Sequence, residues 1–130
     1  MRSANSAAAL LLSAALGAAQ ANEPSVRLLV HSAPLAGLRY YAAGELWPAL
    51  GVGDRLSLER EAGNPHDPNA VAVAWRGRKL GYVPRRDNAA LAWGLDRGEP
   101  LQARISRLVS YPGRAHPYRA RRLEIEVFLE

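Results

Sequence analysis

The chain has 130 residues, of which 48% are hydrophobic, and its 17 Lys and Arg against 12 Asp and Glu give a formal net charge of +5. It contains no cysteine, which excludes a disulfide framework, thiolate zinc sites, iron–sulfur clusters and cysteine nucleophiles. A chain of this length forms one modest hydrophobic core, so we expect a single domain held together by packing alone.

The amino terminus has the pattern of an export signal. Arg2 precedes a mainly apolar run over residues 7–19, and Ala19-Gln20-Ala21 provides the small residues that signal peptidase accepts. The run of about 13 residues is shorter than the roughly 20 that a transmembrane helix needs, and a buried Ala-rich helix is the remaining alternative. We expect residues 1–21 to be a signal peptide cleaved after Ala21. Residues 22–130 would then be a periplasmic or secreted domain with no membrane span.

The first half of that domain predicts short elements between turns. Residues 26–30 are rich in apolar side chains and predict a strand, and residues 32–37 predict a loop that contains a proline. Residues 38–41 predict a short extended segment because of their aromatic content. Residues 43–50 predict a single helical turn whose length is limited by Pro48.

The middle of the chain predicts a strand followed by a β-hairpin. Residues 55–61 alternate apolar and polar side chains, which is the period of a half-buried strand. Residues 70–75 place alanines opposite valines and predict a strand buried on both faces. Residues 76–78 predict the hairpin turn and residues 79–83 the returning strand. Residues 63–69, rich in Gly, Pro, Asn and Asp, predict a structured loop.

The last third predicts one helix and two long strands. Residues 85–96 place apolar side chains at helical spacing, and Gly98 suits the position beyond the helix. Residues 101–109 and 123–129 predict strands, joined by a basic connection over residues 110–122. Many short strands with few helices predict a mainly β fold, a small closed barrel of about six strands with one or two short helices.

Positive charge is concentrated in one block of the sequence. Residues 76–122 hold 12 basic and three acidic residues, whereas the rest of residues 22–130 hold four basic and nine acidic ones. A polyanion-binding face would produce such a block, provided that the fold brings the charges together. Ordinary solvated surface is an equal alternative.

The most distinctive stretch is Asn64-Pro65-His66-Asp67-Pro68-Asn69. Its two Xaa-Pro steps restrict the backbone, and its Asn and Asp side chains can bond to neighbouring amides, so the segment predicts a rigid turn. The alternative is a pre-organised loop that presents His66 and Asp67 to a ligand. The spacing alone favours the rigid turn.

Together with its surroundings, this stretch matches a wider pattern. Leu58-Glu59-Arg60-Glu61 precedes it, and Ala70-Val71, Gly77 and Leu80-Gly81-Tyr82-Val83-Pro84 follow. Two further segments fit the same pattern, Gly37-Leu38-Arg39-Tyr40-Tyr41 and Leu95-Asp96-Arg97-Gly98. Over residues 26–129 the chain resembles a HIRAN domain.

The resemblance implies a modified OB-like β-barrel, found as an accessory module of SWI/SNF-type DNA translocases, that captures the 3′-hydroxyl end of single-stranded DNA. By position, Arg39 would contact phosphate, Tyr40 would stack on the terminal base, and Asp67 would accept a hydrogen bond from the hydroxyl. His66 replaces a tyrosine common in the family and would stack over a smaller area. Asn64 would shape the pocket, and Arg85 would add a backbone contact. The predicted site residues are Arg39, Tyr40, Tyr41, Asn64, His66, Asp67 and Arg85.

One structural expectation concerns the two adjacent tyrosines. Neighbouring residues of an extended segment point to opposite faces. We therefore expect either Tyr40 or Tyr41 to face the core.

No enzymatic pattern accompanies these residues. The three histidines lack the spacing of a metal site, and there is no nucleophile elbow or phosphate-cradling loop. We therefore expect no cofactor, no metal and no catalytic residue. The predicted function is that of a monomeric, non-enzymatic module that binds the 3′ end of single-stranded DNA. The alternative is an exported adaptor that binds a protein or a cell-envelope polyanion through the same barrel, and a hydrolase ranks below both.

Overall fold

Six antiparallel strands form one curled sheet in the computed structural model, which describes residues 26–111 and 121–130. The strands are β1 (Leu28–Pro34), β2 (Arg55–Glu61), β3 (Ala70–Trp75), β4 (Arg78–Tyr82), β5 (Leu101–Ser110) and β6 (Arg121–Leu129). Their order across the sheet is β1-β6-β5-β2-β3-β4. The curl brings the two edges together, because Ala36 forms a β-bridge with Tyr82 through backbone hydrogen bonds of 2.8 and 2.9 Å. The predicted mainly β, OB-like fold is confirmed.

Short helical segments connect the strands. Two are α-helices, α1 (Ala43–Leu46) and α2 (Ala89–Asp96), and three are 3-10 turns, Leu38–Tyr40, Trp47–Ala49 and Arg85–Asp87, within the described ranges. The helix predicted over residues 85–96 is therefore interrupted. Asn88 separates the 3-10 turn from α2, and its side chain does not cap the helix but bonds to another part of the chain.

β3 is buried along its whole length. Val71 and Val73 are fully enclosed in the core, while Ala70, Ala72 and Ala74 lie on the opposite face and are buried as well. The hairpin turn to β4 contains Arg76 and Gly77 with φ of 47° and 81°. Positive φ at two consecutive residues suits a tight hairpin turn. The predicted doubly buried strand and the predicted hairpin are confirmed.

Aliphatic side chains fill the interior of the barrel. One continuous core contains the fully buried Val71, Val73, Leu80, Ile105, Leu123, Ile125 and Val127. Burying an aliphatic side chain of this size contributes about 1.5–3 kcal/mol. In β6 the buried positions are every second residue, Leu123, Ile125 and Val127, which is the pattern of a strand with one face in the core.

Two predictions about the first half of the chain are wrong. β1 extends to Pro34, so residues 32–34 are strand rather than loop. β1 lies at the edge of the sheet, where the missing N–H of a proline is tolerated. Residues 38–40 form a 3-10 turn rather than an extended segment. Gly37 turns the chain with a φ of 76°, and its carbonyl accepts a 3.0 Å hydrogen bond from the N–H of Tyr40.

Some predictions concern residues outside the ranges that the structure describes. The signal peptide predicted over residues 1–21 lies outside the described residues, as do residues 112–120 of the predicted basic connection. Of the helices in residues 26–111 and 121–130, none has the length and apolar character needed to cross a membrane. Export stays a prediction.

Candidate nucleic-acid interface

An open groove of about 360 Å³ lies where the loop between β2 and β3 meets the end of β4 and the turn that follows it. Five of the seven predicted site residues line this groove, namely Tyr41, Asn64, His66, Asp67 and Arg85. Ala36, Ala70, Tyr82 and Val83 complete the lining. The fold therefore brings residues from three separate parts of the chain to one surface.

The loop of residues 63–69 is ordered by its own side chains. Asn64 Oδ1 accepts hydrogen bonds from the backbone N–H groups of His66 at 2.9 Å and Asp67 at 3.2 Å. Asp67 Oδ1 accepts a 2.9 Å hydrogen bond from the N–H of Asn69. The predicted turn, with Asn and Asp side chains bonded to neighbouring amides, is confirmed. Because His66 and Asp67 also line the groove, the same turn presents them to the groove.

Asp67 is held as a hydrogen-bond acceptor at one side of the groove. Its Oδ2 accepts a 2.7 Å hydrogen bond from the side-chain amide of Asn88, a residue that is 2% exposed. The hydrogen bonds from the Asn69 backbone and from Asn88 lower the pKa of Asp67, and the charges of Arg85 and Arg60 act in the same direction. The carboxylate is therefore ionised at neutral pH and repels negatively charged groups.

Tyr41 presents an aromatic ring to the groove. It is 39% exposed and meets Tyr82 edge to face, with ring centroids 5.7 Å apart. The Nζ of Lys79 lies 5.1 Å from the Tyr41 centroid and 4.8 Å from the Tyr82 centroid, which is the range of a cation–π contact. Two neighbours thus brace the Tyr41 ring while part of it stays accessible.

Arg39 and Tyr40 lie beside the groove, on the 3-10 turn next to Tyr41, and not in its lining. Tyr40 is 67% exposed. The Arg39 guanidinium lies 4.6 Å from the Tyr40 ring centroid and donates a hydrogen bond to the Tyr40 hydroxyl. The expectation that one of the two tyrosines faces the core is wrong, because the chain turns here and both rings remain exposed. A Cβ on Gly37 would lie 3.5 Å from the Tyr41 ring and 3.8 Å from the Tyr40 ring, so the two rings are neighbours.

Four residues that support the groove were not among the predicted site residues: Glu61, Lys79, Tyr82 and Asn88. Glu61 and Tyr82 belong to the family pattern, which is a sequence signal for their roles. Lys79 and Tyr82 bond to Glu61 across the sheet, and Asn88 bonds to Asp67, 21 positions earlier. Spacing along the chain does not reveal such partners.

Three side-chain oxygen atoms of the loop of residues 63–69 are engaged within the protein. Asn64 Oδ1 and both carboxylate oxygens of Asp67 accept hydrogen bonds from protein groups. Across the described part of the chain, no group of three or more His, Asp and Glu side chains is arranged to hold a metal ion.

The basic block over residues 76–122 is divided among local ion pairs. These pairs join Arg78 to Glu45 at 2.8 Å, Arg97 to Glu99 at 2.7 Å and Arg104 to Glu126 at 3.2 Å. Of the block's described residues, Lys79 lies behind Tyr41 and Arg85 lines the groove itself. Much of the block is therefore ordinary surface charge, and Arg85 is its direct contribution to the groove.

Comparison with known proteins identifies the family. The sequence model of the HIRAN domain family matches residues 28–129 of the chain. A crystal structure of a protein from Lactobacillus plantarum is similar with a TM-score of 0.63 and 25% identity, covering 81% of this chain and 98% of that chain. The HIRAN domain of human HLTF is similar in fold, with a TM-score of 0.53 and 24% identity over 79% of this chain and 78% of that chain. Curated protein sequences gave no match. The chain belongs to the HIRAN domain family, which is associated with DNA binding.

Proposed function

We propose that the protein is a non-enzymatic module that binds the 3′-hydroxyl end of single-stranded DNA in this groove. The observation that carries the proposal is the ionised Asp67 carboxylate in the same open groove as the exposed Tyr41 ring and Arg85. A carboxylate repels a continuing phosphate chain, but it accepts a hydrogen bond from a free hydroxyl. The groove therefore suits the end of a strand better than its middle.

The other groove residues have complementary roles in this proposal. Tyr41 stacks on the terminal base, a contact that contributes about 1–3 kcal/mol and that any base can make. The exposed His66 ring provides a second stacking surface, and the Arg85 guanidinium binds a backbone phosphate. Arg39 and Tyr40, which lie beside the groove, contact the preceding nucleotide.

The proposal includes the compartment and the state of the protein. With residues 1–21 removed as a signal peptide, the domain would act as a monomer in the periplasm or outside the cell, on DNA ends released there. Membership of the HIRAN family supports a nucleic-acid partner. The test below also addresses an exported adaptor for a protein or a cell-envelope polyanion.

The experiment is fluorescence anisotropy with two oligonucleotides that differ only in a 3′-hydroxyl or a 3′-phosphate. We expect tighter binding of the hydroxyl end. Asp67→Asn keeps the size of the side chain and removes its charge, so the preference should fall towards equal binding. Glu126→Gln is the matched control, because it removes a carboxylate charge that pairs with Arg104 outside the groove lining.

Two results would contradict the proposal. Equal binding of both oligonucleotides by the wild-type protein would exclude end recognition. Weak, unselective binding of both, together with retention of a defined protein or polyanion from the periplasm, would favour the adaptor.

A further inference from the structure

One carboxylate connects the two sides of the groove. Glu61, the last residue of β2, accepts hydrogen bonds through Oε1 from the Asn64 side-chain amide at 3.1 Å and from the Tyr82 hydroxyl at 2.8 Å. Its Oε2 accepts a 2.9 Å hydrogen bond from Lys79 Nζ. Asn64 belongs to the loop that carries Asp67, whereas Lys79 and Tyr82 belong to β4. Glu61 therefore joins the loop side of the groove to the strand side.

Lys79 extends this connection to the stacking ring. Its Nζ donates a 2.8 Å hydrogen bond to the Tyr82 hydroxyl as well as bonding to Glu61. The same ammonium lies over the rings of Tyr41 and Tyr82. The Tyr82 hydroxyl thus accepts from Lys79 and donates to Glu61, and both of its hydrogen-bonding capacities are used.

The contacts form a continuous path across the groove. It runs from the Tyr41 ring through Lys79 to Glu61, and from Glu61 to Asn64, whose Oδ1 accepts the backbone N–H of Asp67. Glu61 and Lys79 are absent from the groove lining. Their side chains are 28% and 33% exposed, respectively. They therefore contact residues of the groove without lining it themselves.

The charge states that this path requires are stable at neutral pH. Burial raises the pKa of Glu61, but hydrogen bonds from Lys79, Tyr82 and Asn64 outweigh it and hold the pKa below its ordinary value. Hydrogen bonds to Tyr82 and Glu61 raise the pKa of Lys79. Burial raises the pKa of the Tyr82 phenol. The path therefore contains a carboxylate, an ammonium and a neutral phenol.

We propose that Glu61 and Lys79 are positioning residues that set the end selectivity of the groove by fixing the Tyr41 ring relative to the Asp67 carboxylate. This inference rests on the proposed function. Selectivity needs the terminal base on the ring and the terminal hydroxyl at the carboxylate at the same time, which tolerates a misplacement of only about 0.5 Å. General affinity comes from stacking and from the arginines, and it depends less on that distance.

The experiment compares Glu61→Gln, Lys79→Met and Lys79→Arg with Glu126→Gln. Glu126 is a close match, because it is also a β-strand carboxylate paired with a cation that lies over an aromatic ring, Arg104 at 4.5 Å from the Phe128 centroid. The ratio of dissociation constants for 3′-phosphate and 3′-hydroxyl oligonucleotides is measured for each variant. The thermal unfolding midpoint shows that each variant is folded.

We expect Glu61→Gln and Lys79→Met to lower this ratio about tenfold, which is the size of effect expected from losing a charge-assisted hydrogen bond. Affinity for the 3′-phosphate oligonucleotide should change much less. Lys79→Arg keeps the cation and its pairing with Glu61, so this variant should retain most of the wild-type selectivity. Glu126→Gln should leave the ratio unchanged.

A second readout does not depend on DNA binding. In NMR spectra of the free protein, Glu61→Gln should shift the backbone amides of His66 and Asp67 together with the ring protons of Tyr41. Shifts confined to Lys79 and Tyr82 would overturn the inference, because the two sides of the groove would then not be connected.

The two proposals fail in distinguishable ways. In one outcome, the wild-type protein is end-selective while Glu61→Gln and Lys79→Met keep its ratio of dissociation constants, for example by weakening the binding of both oligonucleotides equally. In that case the positioning role is wrong and the proposed function stands. If the wild-type protein binds both ends equally, the proposed function is wrong. The end-selectivity role of Glu61 and Lys79 then falls with it, whatever the NMR spectra show.

Discussion

The side-chain amide of Asn88 donates a 2.7 Å hydrogen bond to the carboxylate of Asp67 and so joins the loop after β2 to the start of α2. Asn88 is 2% exposed, and a polar side chain at that depth needs a hydrogen-bond partner. The bond gives the amide a partner and at the same time holds the Asp67 carboxylate of the groove. Under the proposed function, stability and recognition therefore share this contact.

Replacing Asn88 tests that double role. Asn88→Ala leaves a small cavity and removes a donor from Asp67, so we expect a lower urea midpoint of unfolding and a weaker preference for the 3′-hydroxyl end. Gln102→Ala, which removes an exposed amide from β5, should change neither quantity. A variant that lost stability but kept full end preference would show that Asn88 does not orient Asp67.

The titration of Asp67 offers a test by pH. The hydrogen bonds from Asn69 and Asn88 lower its pKa below the ordinary value of 3.8, so NMR of its carboxyl carbon should give a midpoint below that value. Because the pKa is lowered by folding, the ionised group stabilises the protein above pH 3.8, and this contribution is lost as the pH falls through the lowered pKa. Asn88→Ala should raise the midpoint. A wild-type midpoint at or above 3.8 would contradict the geometry.

Tyr41 should be the main stacking residue. We expect Tyr41→Ala to weaken oligonucleotide binding by about 1–3 kcal/mol, which is roughly 5- to 150-fold in dissociation constant, and Tyr41→Phe to have little effect. Tyr111→Ala is the control, since Tyr111 is 53% exposed and lies outside the groove lining. Anisotropy titrations measure both. An equal loss in the two alanine variants would assign the effect to general surface change.

The positive charge of Arg85 should contribute to the binding of single-stranded DNA. Binding to single-stranded DNA weakens with salt, with a slope in log K against log salt of about −0.7 for each phosphate contact. We therefore expect Arg85→Ala to reduce the magnitude of this slope by about 0.7, equally for different sequences. An unchanged slope would mean that the guanidinium in the groove does not meet a phosphate.

Gly81 should be required where the barrel closes. A Cβ at this position would lie 2.5 Å from the carbonyl oxygen of Ala36, the partner of the bridge to Tyr82. We expect Gly81→Ala to cost about 1–3 kcal/mol of unfolding free energy, as for other overpacked sites. Gly63→Ala is the matched control, because a Cβ there would meet no atom within 4 Å. Denaturant unfolding compares the two, and equal stabilities would argue against the close approach.

The amino-acid sequence determined the strands and the groove loop because their signals are local. Alternating side chains define β2 and β6, valine alternating with alanine defines β3, and the Pro and Asn residues of the loop restrict its backbone. These patterns act within a few residues of each other, and together they carry the family resemblance.

The tertiary structure decided which residues share the groove. It brings Tyr41 into the lining and leaves Arg39 and Tyr40 beside it, because Gly37 turns the chain before them. It also supplies hydrogen-bond partners from distant positions: Asn88 for Asp67 in the loop, and Lys79 and Tyr82 for Glu61 at the end of β2. Such contacts depend on how the sheet curls and closes, and no spacing along the chain determines that.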